Sequence, residues 1–573
     1  MKKGIAASPG IAIGKVLLLE EQIIKITLTK IDNNQIQEEL VKFEQAVQKT
    51  KKELLQISEQ VCKKMGMEKA EIFIAHSMMA EDLLLKEKVE KKISDEFLSA
   101  DNAVNQAIQE ITKLFSAMKD EYMSERAIDF KDVGIRLLNN ILKIPAQDLN
   151  EITDEVILVS KDLTPSATAQ INKQKVLGFA TDMGGKTSHT AIMARTLEIP
   201  AVTGLIDLSR EIKNDDTIIV DGINGLVIIN PDKKTLQDYK SDRNKYLNEV
   251  SQLKELKNLP AETKDGFRIE LAANIGTPQD VVGALGNGAE GIGLYRTEFL
   301  YMDRDSMPNE DEQFEAYKQV VEKMDGKPTI IRTLDIGGDK KLSYLKLDEE
   351  MNPFLGVRAI RLCLRQPEIF KIQLRAILRA STFGRLKIMY PMIATVEEVK
   401  AANQILKEIK SQLANANVAF DSEIQTGIMV EIPATAINAD LFANEVDFFS
   451  IGTNDLIQYT MAADRMNENL SELYDLYNPA ILRLIKNVIV ESKKAGKWTG
   501  MCGEMAGDPM SALILLGLGI DELSMSAIAI PRVKKVIRSV TKKEASEIAN
   551  KVFEMKSSKE IRSYLNKTLE KVL

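Results

Sequence analysis

No proline interrupts the chain between Ile11 and Ile144, and between Asn33 and Ile144 the only glycines are Gly66 and Gly134. Proline and glycine are the strongest local breakers of helices, so a long stretch without them can run as long helices. Apolar residues recur at helical spacing, as in Leu40, Phe43 and Val47 and again in Leu54, Ile57 and Val61, and Asp82–Lys92 carries the same pattern. Such helices bury their apolar stripes against one another. Residues 31–145 are therefore read as an antiparallel helical bundle inserted into another domain.

The texture changes at Pro145. Glu155–Val159 and Val176–Ala180 read as short buried strands, and Thr217–Gly222 and Leu226–Ile229 as a hairpin-like pair around Ile223–Gly225. Strands alternating with short helices imply an α/β domain over 146–230, with the N-terminal strand, within residues 1–30, completing its sheet. Pro231–Leu259 is charged and has Leu247, Val250, Leu253 and Leu256 at helical spacing, which reads as a helical linker over 231–259. A long connection of this kind suits a group that must visit two places. From 260 to 573 the rhythm becomes strand, loop, helix. The strand candidates are Arg268–Ala272, Gly291–Leu294, Thr329–Arg332, Lys387–Tyr390, Gly427–Glu431, Phe448–Ile451, Trp498–Met501 and Glu522–Met525. That series fits a (β/α)₈ TIM barrel, with an open doubly wound sheet as the alternative. The fold class is thus multidomain α/β.

The charge balance, 84 Asp and Glu against 76 Lys and Arg, argues against a broad nucleic-acid surface. The cysteines, Cys62, Cys363 and Cys502, are far apart and odd in number, so neither a metal spacing nor a disulfide framework is expected and a cytoplasmic location fits. The apolar N-terminus is broken by Pro9-Gly10 and continues by alternation into Lys15–Leu19, which reads as a strand and not a targeting segment. No apolar run approaches the roughly 18 residues of a spanning helix, so no membrane insertion is expected.

The chain has only two histidines, and one of them, His189, lies in Gly184-Gly185-Lys186-Thr187-Ser188-His189-Thr190-Ala191. The Gly pair permits a sharp turn and close approach to a ligand. The run from Ala191 to Leu197 reads as the start of a helix, whose free N–H groups would favour an anion beside the imidazole. A neutral imidazole nitrogen can also carry a group covalently between partners. In the C-terminal region polar residues gather where strands end: Arg296 after Gly293–Tyr295, Arg332 and Lys340 in Arg332–Lys340, and Arg358 in Gly356–Arg361. Strand C-termini build the active sites of barrel enzymes, and guanidinium forks suit a small, multiply charged anion. Glu431 and Asp455 also follow strands. They read either as hard-oxygen ligands for Mg²⁺ or as structural partners of the arginines. Cys502, between Met501 and Gly503, is either a small buried hydrophobe or a neutral thiol able to give a proton to carbon.

Together these motifs resemble the enzyme I family of the phosphoenolpyruvate-dependent sugar phosphotransferase system, within the phosphoenolpyruvate-utilising enzymes. The resemblance runs through Ala7–Ala12, Asp120–Tyr122, Glu125–Ala127, Asp162–Ser166, the His189 loop to Arg195, Gly293–Phe299, Arg332–Lys340, Asp447–Tyr459 and Gly500–Glu504. It implies Mg²⁺-dependent transfer of phosphate from phosphoenolpyruvate to His189 and then to the carrier protein HPr, with release of pyruvate, as the first step of sugar uptake. It also implies that Arg296 and Arg332 hold the phosphate with Lys340 and Arg358 nearby, and that Glu431 and Asp455 bind Mg²⁺, Asp455 lying against the substrate as well. Asn454 and Arg465 would fix the substrate carboxylate, and Cys502 would protonate the enolate carbon. The bundle, His76 included, would dock HPr, and a homodimer would form through the barrel. Departures from the family pattern are Lys186, Val357 and Ile432. The chain has no room or Gly-rich phosphate loop for the nucleotide-binding domain of a dikinase. The intact His189, Glu431, Asp455 and Cys502 oppose a purely docking role. No sensory domain is seen before Met1-Lys2, which disfavours the nitrogen-related paralogue.

Overall fold

The computed structural model describes all residues except 20–25, 27, 66, 117–120, 145–151, 164–170, 173–174, 186–187, 303, 339–341, 343, 346–347, 349, 466 and 471. The chain divides into two compact units, Met1–Glu249 and Val250–Leu573.

In the first unit the strands β1 (Lys2–Lys3), β2 (Ile5–Ser8), β3 (Ile11–Leu19), β4 (Val156–Ser160), β5 (Val176–Thr181), β6 (Ala201–Thr203), β7 (Thr217–Asp221) and β8 (Leu226–Ile229) form one sheet. Its order is β1-β8-β7-β3-β4-β5-β6-β2. The N-terminal segment, read from sequence as one strand, is three, because the chain breaks at Gly4 and again at Pro9-Gly10, where Gly10 takes a φ of +127°. β2 pairs antiparallel with β6 at one edge, while β3 runs through the middle, parallel to β4 and antiparallel to β7. Strands β4 and β5 are apolar on both faces because each face carries its own core. Ile157 and Val159 pack with Val16, Ile218 and Val220, and Leu158 and Phe179 pack with Ala191 and Ala194.

Between β3 and β4 run the helices Ile36–Met65, Met67–Met79, Leu83–Ser94, Ala100–Ser116 and Glu121–Leu142. Their stripes meet as expected: Phe43, Val47, Leu54, Ile57 and Val61 share a core with Phe73, Val104 and Leu137. Asp82 starts the Leu83–Ser94 helix by accepting from the backbone N–H groups of Leu84 and Leu85. The charged segment after β8 forms the helix Lys233–Glu255, which has no buried residue.

The second unit is built on β9 (Glu270–Ile275), β10 (Gly291–Arg296), β11 (Thr329–Arg332), β12 (Leu386–Tyr390), β13 (Gln425–Val430), β14 (Phe448–Ile451), β15 (Trp498–Met501) and β16 (Glu522–Met525). They form a closed barrel of parallel strands, and the pairing of β16 with β9, Glu522 beside Glu270, rules out the open sheet. Side chains alternate along the strands, except in β10, where an irregularity after Ile292 shifts the pattern by one residue. Leu271, Ile292, Ile331, Ile388, Ile428, Phe449, Met501 and Leu523 face outward onto the helices. Leu294, Ile330, Met389, Met429, Phe448 and Cys502 fill the inside. The interior is packed, not hollow. Gly427 leaves the space taken by the Phe448 ring, which lies 2.5 Å from where a Cβ would stand, and Trp498 stacks on that ring at 4.5 Å.

Candidate active site

The C-terminal ends of the barrel strands bring most of the expected residues together. Arg296 and Arg332 end neighbouring strands at the same level. Arg296 is exposed, and its guanidinium lies over the Phe299 ring, 4.9 Å from the centroid. Arg332 is buried: its Nη2 donates to Glu298 Oε1 at 2.7 Å and its Nη1 lies 3.0 Å from Asp335 Oδ2. Arg358 is only 2% exposed. Its Nη2 reaches Asp335 Oδ1 at 2.9 Å and Asp455 Oδ2 at 3.4 Å, and its Nη1 donates to the Tyr459 hydroxyl at 3.4 Å. The Nε–H groups of both buried arginines lack a hydrogen-bond partner. A buried, charged donor without a partner is costly, so these N–H groups suit an anionic ligand.

Backbone shape contributes to this arrangement. Gly337 has a φ of +113°, and a Cβ there would lie 2.5 Å from Arg358 Cβ, so only glycine lets the two loops close on one another. Ala359, directly after Arg358, has a φ of +53°, and Met392, whose N–H donates to Glu431 Oε1, has a φ of +56°. Non-glycine residues in this region store strain, which tends to gather at functional sites.

Glu431 follows β13, and Asp455 lies in the first turn of the helix Thr453–Met461. Both are buried. Burial, then Asp455 and Asp335, raise the Glu431 pKa against the pull of Arg332 and Arg358. Asp455 Oδ1 has no hydrogen-bond partner and faces Arg465 Nη1 at 3.5 Å. Two crowded carboxylates with an unsatisfied oxygen could hold a hard divalent cation. Among the described residues no set of three or more such ligands exists, so the remaining positions would fall to water and substrate oxygens. Asn454 is fixed by Glu504: its Nδ2 donates to Oε1 at 3.3 Å and its Oδ1 accepts the Glu504 N–H at 3.1 Å. Cys502 is buried directly after β15, and burial pushes its thiol up to about 12, outweighing the neighbouring Ser450 hydroxyl and Arg332. Lys340 lies outside the described residues.

Two acids join the site that sequence reasoning does not single out. Glu298 and Asp335 pair with the arginines: Glu298 holds Arg332, and Asp335 bridges Arg332 and Arg358. A bound divalent cation would tip the charge of this mouth toward an anion. The i,i+3 spacing of Arg332 and Asp335 is the signal available in the sequence.

His189 belongs to the first unit, where it opens the helix His189–Leu197 and does not precede it. Ser188 caps that helix by accepting the Ala191 N–H at 3.3 Å. His76, expected on a docking surface, is instead fully buried, with Nε2 3.1 Å from Asp129 Oδ1 and Nδ1 3.8 Å from Asp132 Oδ2. It lies on the same helix face as buried Phe73 and Ala80, so its side chain serves the bundle's interior.

Comparison with known proteins places these residues in a family. Residues 250–542 match the PEP-binding domain of PEP-utilising enzymes, residues 152–225 their mobile domain and residues 3–126 their N-terminal domain. The phosphoenolpyruvate-protein phosphotransferase of Bacillus subtilis (strain 168) is 53% identical over 99% of both chains. That of Staphylococcus carnosus (strain TM300) is 52% identical over 98% of this chain and 97% of its own, and that of Staphylococcus aureus (strain MSSA476) is 52% identical over 98% of each. With a barrel whose strand ends gather buried arginines and carboxylates, and with likeness over nearly its whole length, the chain belongs to the phosphoenolpyruvate-protein phosphotransferase family of PEP-utilising enzymes.

Proposed function

We propose that the protein transfers the phosphoryl group of phosphoenolpyruvate to His189 and then to a histidine of the small carrier protein HPr, releasing pyruvate, as the first step of sugar uptake. The observation that carries this reading is the mouth itself: two buried guanidiniums with unfilled N–H groups beside two carboxylates and a neutral thiol. Phosphoryl transfer needs positioning and charge neutralisation more than covalent chemistry from the barrel. Arg296 and Arg332 would hold the phosphate, with Arg358 and Lys340 in support, while Asn454 and Arg465 would hold the carboxylate. Glu431 and Asp455 would bind Mg²⁺, and the ion would neutralise charge on the phosphate and enolate oxygens.

His189, at a helix N-terminus, would accept the phosphoryl group where backbone N–H groups favour an anion. Once the phosphoryl group has left, Cys502 gives its proton to the enolate carbon. Its raised pKa keeps the thiol neutral beside an anionic substrate, so proton transfer leaves the ketone, pyruvate, which cannot readily take the phosphoryl group back. The inserted bundle would receive HPr, the exposed helix after β8 would let the histidine-bearing part travel, and the barrel would form a homodimer. Among the described residues no helix is long and apolar enough to cross a membrane.

Isotope transfer tests this. Labelled phosphoenolpyruvate with Mg²⁺ should place an acid-labile, base-stable label on the protein, HPr should remove it, and His189→Ala should abolish it. A strict ATP requirement would sink the reading.

A further inference from the structure

Below Cys502 the barrel interior holds charged groups that phosphoryl transfer does not use. Glu522 opens β16 and Glu270 opens β9, side by side in register, and both point inward. Lys387 points inward from β12, its ammonium 4.1 Å from the Trp498 ring centroid. No ion pair joins these three groups, and Oε1 of each carboxyl is buried without a hydrogen-bond partner.

Glu522 is in register with Gly500, and Gly500 with Ser450. Because Gly500 carries no side chain, Glu522 Oε1 lies 3.0 Å from where its Cβ would be, and it also fills the space that Gly293 leaves. Cys502 follows two residues above Gly500 on the same inner face, roughly 7 Å along the strand. Ser450, on the neighbouring strand, stands at the Gly500 level. Its hydroxyl is buried without an aligned partner, yet it lies close enough to the thiol to favour the thiolate. An acid and a hydroxyl that can both donate and accept therefore flank Gly500 at one level, below the thiol.

We propose that Glu522 supplies the proton that restores the Cys502 thiol after each turnover, with the Ser450 hydroxyl as carrier. This rests on the reading of Cys502 as the enolate's proton donor. When the S–H bond breaks and the C–H bond of pyruvate forms, a thiolate remains. The Ser450 O–H proton moves to sulfur as the Glu522 O–H proton moves to Ser450 oxygen, directly or through one water. Glu522 then recovers a proton from solvent by way of the Lys387 ammonium, so each cycle takes up one solvent proton. Direction follows from acidity. Burial and the Glu270 carboxylate hold Glu522 protonated well above the usual carboxylate range, against Lys387, while the thiol's pKa of about 12 lies higher still.

Rapid-quench labelling of the full-length protein with phosphoenolpyruvate, Mg²⁺ and saturating HPr separates the first turnover, which uses the proton already on Cys502, from later ones. Glu522→Gln should slow later turnovers tenfold or more relative to the first and enlarge their solvent deuterium isotope effect. Ser450→Ala should do the same, and Glu522→Asp should recover part of the loss. Equal slowing of first and later turnovers, or no slowing, overturns the relay. If the wild-type protein takes no label from phosphoenolpyruvate, the functional reading falls first and the relay with it.

Discussion

The mouth and the floor of the barrel gather carboxylates and cations inside the same eight strands, yet they settle them in opposite ways. At the mouth Asp335 bridges Arg332 and Arg358, Glu298 holds Arg332, and Asp455 lies between Arg358 and Arg465, while Glu431 accepts from the Met392 N–H. At the floor Glu270, Glu522 and Lys387 share a space without an ion pair, and both acids shift toward the protonated form as Lys387 shifts toward the neutral amine. Guanidinium cannot shed its proton in a protein, whereas a carboxyl and an ammonium can. The guanidinium-paired acids of the mouth therefore keep fixed charge for binding, whereas the floor cluster keeps exchangeable protons, as Glu431 does among the mouth's acids.

The largest break in that contrast should come from Asp335. Asp335→Ala leaves two buried guanidiniums short of a counter-charge, for which about 3 to 5 kcal/mol is the usual cost. Denaturant unfolding followed through Trp498, the only tryptophan of the chain, would report the loss from within the barrel. A loss below about 1 kcal/mol would mean that the arginines are held by other groups. Next is Cys502→Ser, which replaces the thiol with a poorer acid of similar size. General acid catalysis contributes roughly 10²- to 10⁴-fold, so pyruvate release should slow about 10²-fold while KM for phosphoenolpyruvate stays within about twofold. Equal losses in kcat and in substrate binding would make Cys502 a packing residue.

Much of this architecture is legible in the sequence, for physical reasons. Parallel barrel strands are buried on both faces, so they read as apolar runs with polar residues where they end. Thr329–Arg332, Phe448–Ile451, Trp498–Met501 and Glu522–Met525 lie where the apolar runs put them. β6, at Ala201–Thr203, is too short to show a period, and β9 starts two residues later than expected because Arg268 pairs with Glu262 outside the barrel. The arginines of the site stand out, as do Glu431 and Asp455, but Glu298 and Asp335 do not, since a carboxylate on a loop looks solvated until its partner is placed. His76 misleads for the same reason: only its spacing from Phe73 and Ala80 shows that it faces inward. The floor cluster leaves no mark in the sequence, because closing the barrel is what sets Glu270 beside Glu522 and opposite Lys387.

The smallest effect is the one that tests the floor's exchangeable proton by thermodynamics alone. Glu522 faces Glu270, Lys387 and Asp521, and its pKa in the folded chain stands above the ordinary value of 4.5. The folded state therefore binds more protons than the unfolded state between those two values, and stability must fall as pH rises through that window. Below the window both states are protonated and the group is neutral in effect; above it the penalty is complete and constant. A tenfold difference in proton affinity between the two states corresponds to about 1.4 kcal/mol, and rearrangement around Lys387 would reduce the penalty, so a total on the order of 1 to 3 kcal/mol is expected. Glu522→Gln, which cannot ionise, should flatten this part of the pH–stability curve and stabilise the barrel relative to wild type above neutral pH. An unchanged curve would show that Glu522 is ionised and paired in the folded barrel, which would place the floor under the same rule of fixed charge as the mouth.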